Sequence, residues 1–581
     1  MAYDIIIGRD SSDKVKFGDR GIIYLGKGYV KMGQYTSLSN KMWMDVARSH
    51  VVMIAGKRGC LEGDTKVFTD KGYKKIKDFN EEKDRILSFN KETKEFEWEN
   101  AKLLKYPIEN EDLLRVIFEN NKEIILTTEH PLLAVNGDNI LTLLWRNANE
   151  LKIGDNILSI GKDLNDLNPL SIKGISKINN VKEVYDLSVD KNHSFIANGI
   201  ISHNSGKSYT LGVIAEEISN LPSEAAKNIA SLIFDTMGIF WTMKFENEKD
   251  KALLEEWGLK TKPCPVKVFV PFGKVKEYKQ RNIPIDKTFA LKVSELNAED
   301  WITVFNLGIT TLEGVLIERI ITSLQEQGSD YSIEDIENAI EKDKKSDSKI
   351  KEVVSALFSA ANTWGIFSKT GEGTQISDLV NAGVTTILDV SVYSSIGAFN
   401  VRALVISLIS RKIFISRMDS RKKEEIQAIE KGQDYLSYKT QKEEPLVWIF
   451  IDECHEFLPK VGKTPASDAL IQLLREGRQP GISLVMATQQ PGQIHMDAMT
   501  QSDIVIAHRV TARPDIEALN EIMQTYLLEN IKQQMDDLPS LKGSAILLDD
   551  NSERIYPIRV RPRYTWHGGE APTAIKAEVN L

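Results

Sequence analysis

Two halves of one glycine-rich loop are separated by 145 residues of this 581-residue chain. The first half, VVMIAGKRG at 51–59, reads as a short apolar strand running into glycines. A phosphate-binding loop has the form G-x-x-x-x-G-K-[ST] between a strand and a helix. After Gly59, however, the chain continues as Cys60, Leu61 and Glu62 and supplies no lysine. The second half is SGKSYTLGVIAEEI at 205–218, with Leu211, Val213, Ile214 and Ile218 marking the apolar side of a helix. Joining Gly59 to Ser205 gives VVMIA-GKRGSGKS-YTLGVIAEEI, a complete Walker A loop in its strand–loop–helix context. Gly56, Gly59, Ser205 and Gly206 would bring backbone amides to the phosphates of ATP. Lys207 would reach the β- and γ-oxygens, and the Ser208 hydroxyl would hold Mg2+. Each half alone could be a surface turn. Two halves made in-frame by removing one segment argue against that.

The ends of residues 60–204 carry the chemistry that removal requires. The Cys60 thiol can attack the Gly59 carbonyl and form a thioester. The Ser205 hydroxyl can then take over the acyl chain. Asn204 can cyclise on its own carbonyl and cut the bond to Ser205, with His203 placed to move the proton. An O-to-N shift leaves an ordinary Gly59–Ser205 peptide bond. Proximity replaces most of the entropic barrier, so no ATP or metal is needed. The strands predicted at DRILSFN, LLRVIFEN, EVYDLSVD and on both sides of the turn in EIILTTEHPLLAV point to a compact all-β domain.

On these residues the segment resembles a self-splicing mini-intein of the Hint type. CLEGDTKVFTDKG resembles the first splicing block, LTTEHPLL the T-x-x-H block, and VYDLSVDKNHSFIANGIISHNS the two C-terminal blocks. The resemblance implies that Thr127 and His130 act near the first scissile bond, and that Asp186 and His193 support the central and C-terminal steps. Only about 50 residues follow His130 before Val181, with no LAGLIDADG-like helix, so a homing endonuclease is not expected.

The other 436 residues read as a P-loop ATPase. Apolar runs at IASLIFD, VKVFVP, VTTILDV, LVWIFIDE, GISLVMATQQ and SDIVIAH lack strict alternation, as expected for a largely parallel sheet covered on both faces. Asp452 and Glu453 end one such run in the Walker B manner. Asp452 would hold Mg2+ through water, and Glu453 would polarise the attacking water. Gln489, at another strand end, stands where the γ-phosphate would be sensed. Asp235 either joins this acidic group or caps a turn. Cys454 and His455, without further ligands, read as packing and surface groups.

After joining, ARSHVVMIAGKRGSGKS, FIDECHEFLP, LLREGRQPGISLVMATQQP and QSDIVIAHRV resemble the HerA/FtsK-type archaeal DNA-translocating ATPases over most of 20–550. Lys57 and Arg58 make this loop more basic than usual in such proteins. The resemblance implies a RecA-like core, a homo-hexamer, double-stranded DNA as partner, and a companion nuclease in end resection. It also implies an arginine acting in trans, for which Arg509 is the first choice, while Arg478 would instead position the catalytic region. A related ring ATPase moving protein or conjugative substrates is the alternative. DNA-stimulated ATPase activity would favour the first, and membrane association the second.

The expected fold class is thus an α/β RecA-like P-loop ATPase core with a helical insertion and a small N-terminal β domain, interrupted by an all-β Hint domain. The expected order is a β-barrel-like domain at 1–50, core at 51–59, mini-intein at 60–204, core at 205–296, helical insertion at 297–368, core with Walker B at 369–550, and a loosely ordered tail at 551–581. The charged run 417–444 is expected to form an exposed helix and loop. Three cysteines without disulfide or zinc spacing, no run of 18 apolar residues and no signal pattern point to a cytoplasmic protein with no membrane partner. The net charge of −9 is not that of a general nucleic-acid coat, but a ring enzyme with a locally basic channel can carry it, so the sign excludes little.

Overall fold

The computed structural model describes all residues except 1–3, 33–34, 57–60, 82, 91–94, 108–112, 121, 128–129, 136–142, 149–150, 161–166, 179–180, 182, 190–193, 204–206, 329, 369–372, 394–398, 431–443, 509, 511–512, 524–534, 536–537, 540, 542 and 569–581. The strands fall into two sheets, one mixed and one wholly antiparallel.

The mixed sheet has 13 strands. They are β1 (Ile5–Ile7), β2 (Ile22–Met32), β3 (Tyr35–Asp45), β4 (Val51–Ala55), β5 (Ile229–Asp235), β6 (Val266–Pro271), β7 (Lys287–Phe289), β8 (Thr385–Asp389), β9 (Leu446–Ile451), β10 (Ile482–Thr488), β11 (Ile504–His508), β12 (Ser544–Asp549) and β13 (Arg554–Val560). Their spatial order is β1-β3-β2-β13-β12-β11-β4-β10-β9-β5-β8-β6-β7. From β11 to β7 every pairing is parallel. The predicted apolar runs are these strands, and β4, β5, β8 and β10 are buried along their whole length. Parallel strands covered by helices on both faces have no solvent side to alternate toward.

The two faces of β4 show how the covering is divided. Val52 and Ile54 pack with Leu211, Val213 and Ile214 of helix α1 (Lys207–Ser219). Val51 and Met53 belong to the opposite core, shared with helix α2 (Phe399–Glu430) and with helices Leu312–Glu326, Ile333–Lys342 and Ser348–Asn362. Strand β4 and helix α1 therefore meet as strand and helix of one α/β layer, although their sequences are interrupted.

Three features differ from expectation. The strands of 1–50 continue the main sheet, because β2 pairs antiparallel with β13. Up to residue 568 the C-terminal stretch is not loose: β13 lies between β2 and β12, and Arg561, Arg563 and Thr565 are fully or almost fully buried, while 569–581 lie outside the described residues. The two arginines read as solvent-facing only while the buried carboxylate that receives them, Glu216, is unknown. Likewise Arg417, at the start of the charged run, is buried and donates to the Pro480 carbonyl at 2.9 and 2.7 Å. The remainder of that run is in α2 up to Glu430, and 431–443 lie outside the described residues.

The second sheet is formed by strands lying between Leu61 and His203. It is a curled antiparallel half-barrel with its own apolar cores, among them Val116, Ile124, Leu126, Leu187 and Phe195. The predicted strands are present as Ile86–Asn90, Leu113–Phe118, Glu123–Thr127, Pro131–Val135 and Glu183–Val189.

Candidate functional site

The α/β region gathers several predicted residues at the carboxyl ends of its parallel strands, where ligands bind in open α/β sheets. Ser208, in the first turn of α1, donates to Asp452 Oδ2 at 2.5 Å. Asp452 is buried just past β9, and its other oxygen accepts the Glu453 amide at 2.9 Å. Glu453 has φ of 50°, a left-handed conformation that costs a non-glycine residue about 1–3 kcal/mol. Gln489, one residue past β10, donates through Nε2 to Glu453 Oε1. The order β4-β10-β9 puts the Gln489 strand between the strand that leads into the glycine loop and the strand that ends in acids. Gly56 donates to the Thr488 carbonyl at 3.3 Å and holds the end of β4 against β10.

Neighbouring residues have more ordinary roles. Asp235 accepts amides of Met237, Gly238, Ile239 and Phe240 at 2.7 to 3.3 Å, which is the turn-capping role. Burial, then the charge of Asp389 beside it, pushes its carboxyl up. Cys454 is buried, and burial pushes its thiol up, so it behaves as a packing group. His455 Nδ1 lies 3.2 Å from Thr488 Oγ1 and 3.6 Å from Glu453 Oε2. Arg478 is engaged within the chain, donating to the Gln501 carbonyl.

Sequence reasoning missed three contacts around this region. His508 Nε2 meets Thr210 Oγ1 at 2.8 Å, while Nδ1 lies 3.0 Å from the Ser544 carbonyl and donates to it. Arg402, on α2, pairs with Glu456 at 3.1 Å. Glu216 of α1 receives Arg561 and Arg563 from the C-terminal stretch. All three link residues far apart in sequence, so no local spacing signals them.

In the β domain, Thr127, His130 and Asp186 are all buried. The His130 amide donates to the Thr127 carbonyl at 3.0 Å, closing the turn between two strands. Strand pairing places the domain's two ends relative to that turn. Leu61 is paired with Leu126 on one side and Tyr185 on the other, the neighbours of Thr127 and Asp186. Ser202 is paired with Leu132, two residues beyond His130. The Thr127–His130 turn therefore joins the strand that holds the domain's first residues to the strand that holds its last. His203 ends the strand Ile200–His203, opposite Ser194, and Lys207 opens α1. Lys57, Arg58, Gly59, Cys60, His193, Asn204, Ser205, Gly206 and Arg509 lie outside the described residues.

Residues 205–413 match the family described as "Helicase HerA, central domain". The chain contains a HerA-like domain and a separate β domain. It is 24% identical over 184 residues to the DNA double-strand break repair helicase HerA of Pyrococcus furiosus, covering 29% of this chain and 31% of that protein. It is 27% identical over 149 residues to a probable helicase of Methanocaldococcus jannaschii, covering 26% of each. The chain thus spans about a third or less of the length of these curated relatives. Among solved structures it is similar to a DnaB intein from Synechocystis, at 25% identity over 26% of this chain and 99% of that one, with a TM-score of 0.22. It is also similar to a DnaX mini-intein from Spirulina platensis, at 28% identity over 25% of this chain and 99% of that one, with a TM-score of 0.22. Among the described residues no helix is long and apolar enough to cross a membrane.

Proposed function

We propose that this chain is a precursor in which residues 60–204 excise themselves, ligate Gly59 to Ser205, and so complete the phosphate-binding loop of an ATP-driven DNA translocase. The observation that carries the reading is the pairing of Ser208 with Asp452. The helix after the missing half-loop already stands against the acidic end of β9, while β4 packs on that same helix. Only the loop between β4 and α1 is interrupted, and the interruption is a folded domain of its own. The family match beginning at Ser205, the proposed ligation residue, also supports it.

Within the β domain the proposed roles follow the sequence reading. Cys60 is the first nucleophile, Ser205 the second, and Asn204 cleaves the C-terminal bond with His203 moving the proton. Thr127 and His130 act on the Gly59–Cys60 bond, and Asp186 and His193 support the later steps. The pairing of Leu61 and Ser202 on the two strands flanking the Thr127–His130 turn favours one turn serving both ends.

In the ligated protein, Lys207 and the loop amides bind phosphates, and Glu453 orients water with Gln489 beside it. Ser208 and Asp452 offer the hard oxygens that suit Mg2+. This ion keeps several waters, so a site with few side chains fits although no group of three or more His, Cys, Asp or Glu that could hold a metal occurs among the described residues. Bound Mg2+ would neutralise charge on the β- and γ-phosphates. The strand order β11-β4-β10-β9-β5 supports a RecA-like core. A homo-hexamer on double-stranded DNA with Arg509 reaching the neighbour's nucleotide completes the proposal, and the helicase relatives favour DNA over protein as substrate. ATPase assays with and without duplex DNA test it. Stimulation that falls steeply with salt is expected, whereas indifference to DNA would favour a protein substrate.

A further inference from the structure

The C-terminal stretch that follows β13 is seated on α1 through a buried ionic network. Arg561 Nη1 lies 3.0 Å from Glu216 Oε2, and Arg563 Nε lies 2.9 Å from Glu216 Oε1. The amides of Tyr564 and Thr565 also donate to Glu216, at 3.0 and 3.1 Å. Arg561 Nε stands 2.9 Å from Glu217 Oε1, and the Arg563 amide donates to the Tyr209 hydroxyl at 2.8 Å. Arg563 Nη1 approaches His567 Nδ1 at 3.0 Å, and the His567 ring stands edge-on to Tyr209.

The helix is shaped for this contact. A Cβ at Gly212 would stand 2.4 Å from Arg563 Nη1 and 2.6 Å from its Cζ. The guanidinium is fully buried with fixed partners and has no room to retreat. Glycine weakens a helix interior, and here the close approach of Arg563 requires it. Burial alone would push the Glu216 carboxyl up. The charges of Arg563 and Arg561, with hydrogen bonds from Thr565 and Arg563, overcome that and hold it below its ordinary value.

Tyr209 follows Ser208 directly, and Glu216 is two turns further along the same helix. A helix moves as a stiff rod, so whatever fixes the Tyr209–Glu216 face also fixes the position of Ser208 against Asp452. We propose that Arg563 is a positioning residue for the phosphate-binding end of α1, and that residues 561–567 must be seated on this helix for nucleotide to bind productively. The inference rests on reading 205–208 as half of a phosphate-binding loop. The device is built within one chain and uses no residue of the nucleotide site itself.

The test uses the protein produced when the full chain is expressed. In Arg563→Lys and Gly212→Ala, both expected to keep the wild-type far-UV circular dichroism, KM for ATP should rise about tenfold or more, because a displacement near 1 Å of a binding group is enough. Arg563→Lys should lose less than Arg563→Ala. A merely structural role would lower thermal stability and leave KM unchanged. In the wild type, MgADP should slow hydrogen exchange at Tyr564 and Thr565, whose amides donate to Glu216, and this measurement needs no variant to fold. Unchanged KM in a folded variant, or exchange at Tyr564 and Thr565 indifferent to bound MgADP, overturns the proposal alone. A wild-type protein that neither binds nor hydrolyses ATP removes the nucleotide reading and this inference with it.

Discussion

Ser208 Oγ donates to Asp452 Oδ2 across 2.5 Å, joining the first turn of α1 to the end of β9 over 244 residues of sequence. If both oxygens serve one Mg2+, Ser208→Ala and Asp452→Asn should each lower ATP turnover by about a hundredfold or more. Both variants should also need more Mg2+ for half-maximal rate. Titrating Mg2+ at saturating ATP checks this. A wild-type Mg2+ dependence in either variant would separate this pair from the metal.

Glu453 is held in a left-handed conformation and receives a hydrogen bond from Gln489. If Glu453 acts on water rather than on phosphate, Glu453→Gln should bind ATP nearly as the wild type does, with turnover down by roughly 10²–10³. Lys207→Ala should weaken binding as well. Equilibrium binding of a fluorescent ATP analogue beside steady-state rates distinguishes the two. Equal turnover in Glu453→Gln would remove it from its proposed role.

The parallel sheet was legible because each of its central strands is buried on both faces. VVMIA, IASLIFD and ISLVMAT are largely apolar runs without strict alternation, and they are β4, β5 and β10. The C-terminal stretch was misread for the opposite reason. Arg561 and Arg563 signal a wet surface unless Glu216 is known to lie beneath them, and Glu216 is 345 and 347 residues away. Helix Ile333–Lys342, with three buried isoleucines in an otherwise charged run, lies within the 297–368 stretch expected to be helical. In the β domain the T-x-x-H spacing was available through the resemblance, whereas the pairing of Leu61 with Leu126 and of Ser202 with Leu132 is long-range and has no local signal.

His50, buried just before β4, lies between Asp503 Oδ2 at 2.6 Å and Asp45 Oδ2 at 3.2 Å. Burial opposes its charge, but hydrogen bonds to Asp45 and Asp503 and their charges outweigh it, and the imidazole is pushed up to about 9. A native value above the unfolded one of about 6.5 means that the folded state binds the extra proton. Its stabilisation, at most roughly 3 kcal/mol, is complete below about pH 6.5 and is lost as pH rises through about 9. Thermal unfolding of the α/β region at pH 6.5 and 9.5 should show a larger loss for wild type than for His50→Gln. Parallel losses in the two proteins would contradict the assignment.

The unspliced chain should be inert as an ATPase, because Gly59 and Ser205 must be bonded for one loop to wrap the phosphates. Cys60→Ala with Asn204→Ala should keep all 581 residues together and hydrolyse no ATP above background. His130→Ala with intact ends should slow the first step by about 10²–10⁴ and accumulate precursor. Gel electrophoresis over time beside phosphate release reads both. ATPase activity in the intact double variant would break the link between splicing and the nucleotide site.

The central claim is tested most directly by mass spectrometry of the expressed wild-type chain. Trypsin would leave only Gly59, Ser205, Gly206 and Lys207 at the junction, so chymotrypsin, which keeps the joined loop through to Tyr209, is the better protease. The account predicts a host of 436 residues, a separate product of 145 residues, and a peptide in which Gly59 is followed directly by Ser205. Folded protein that remains a single 581-residue chain, lacks that peptide and still hydrolyses ATP would contradict it.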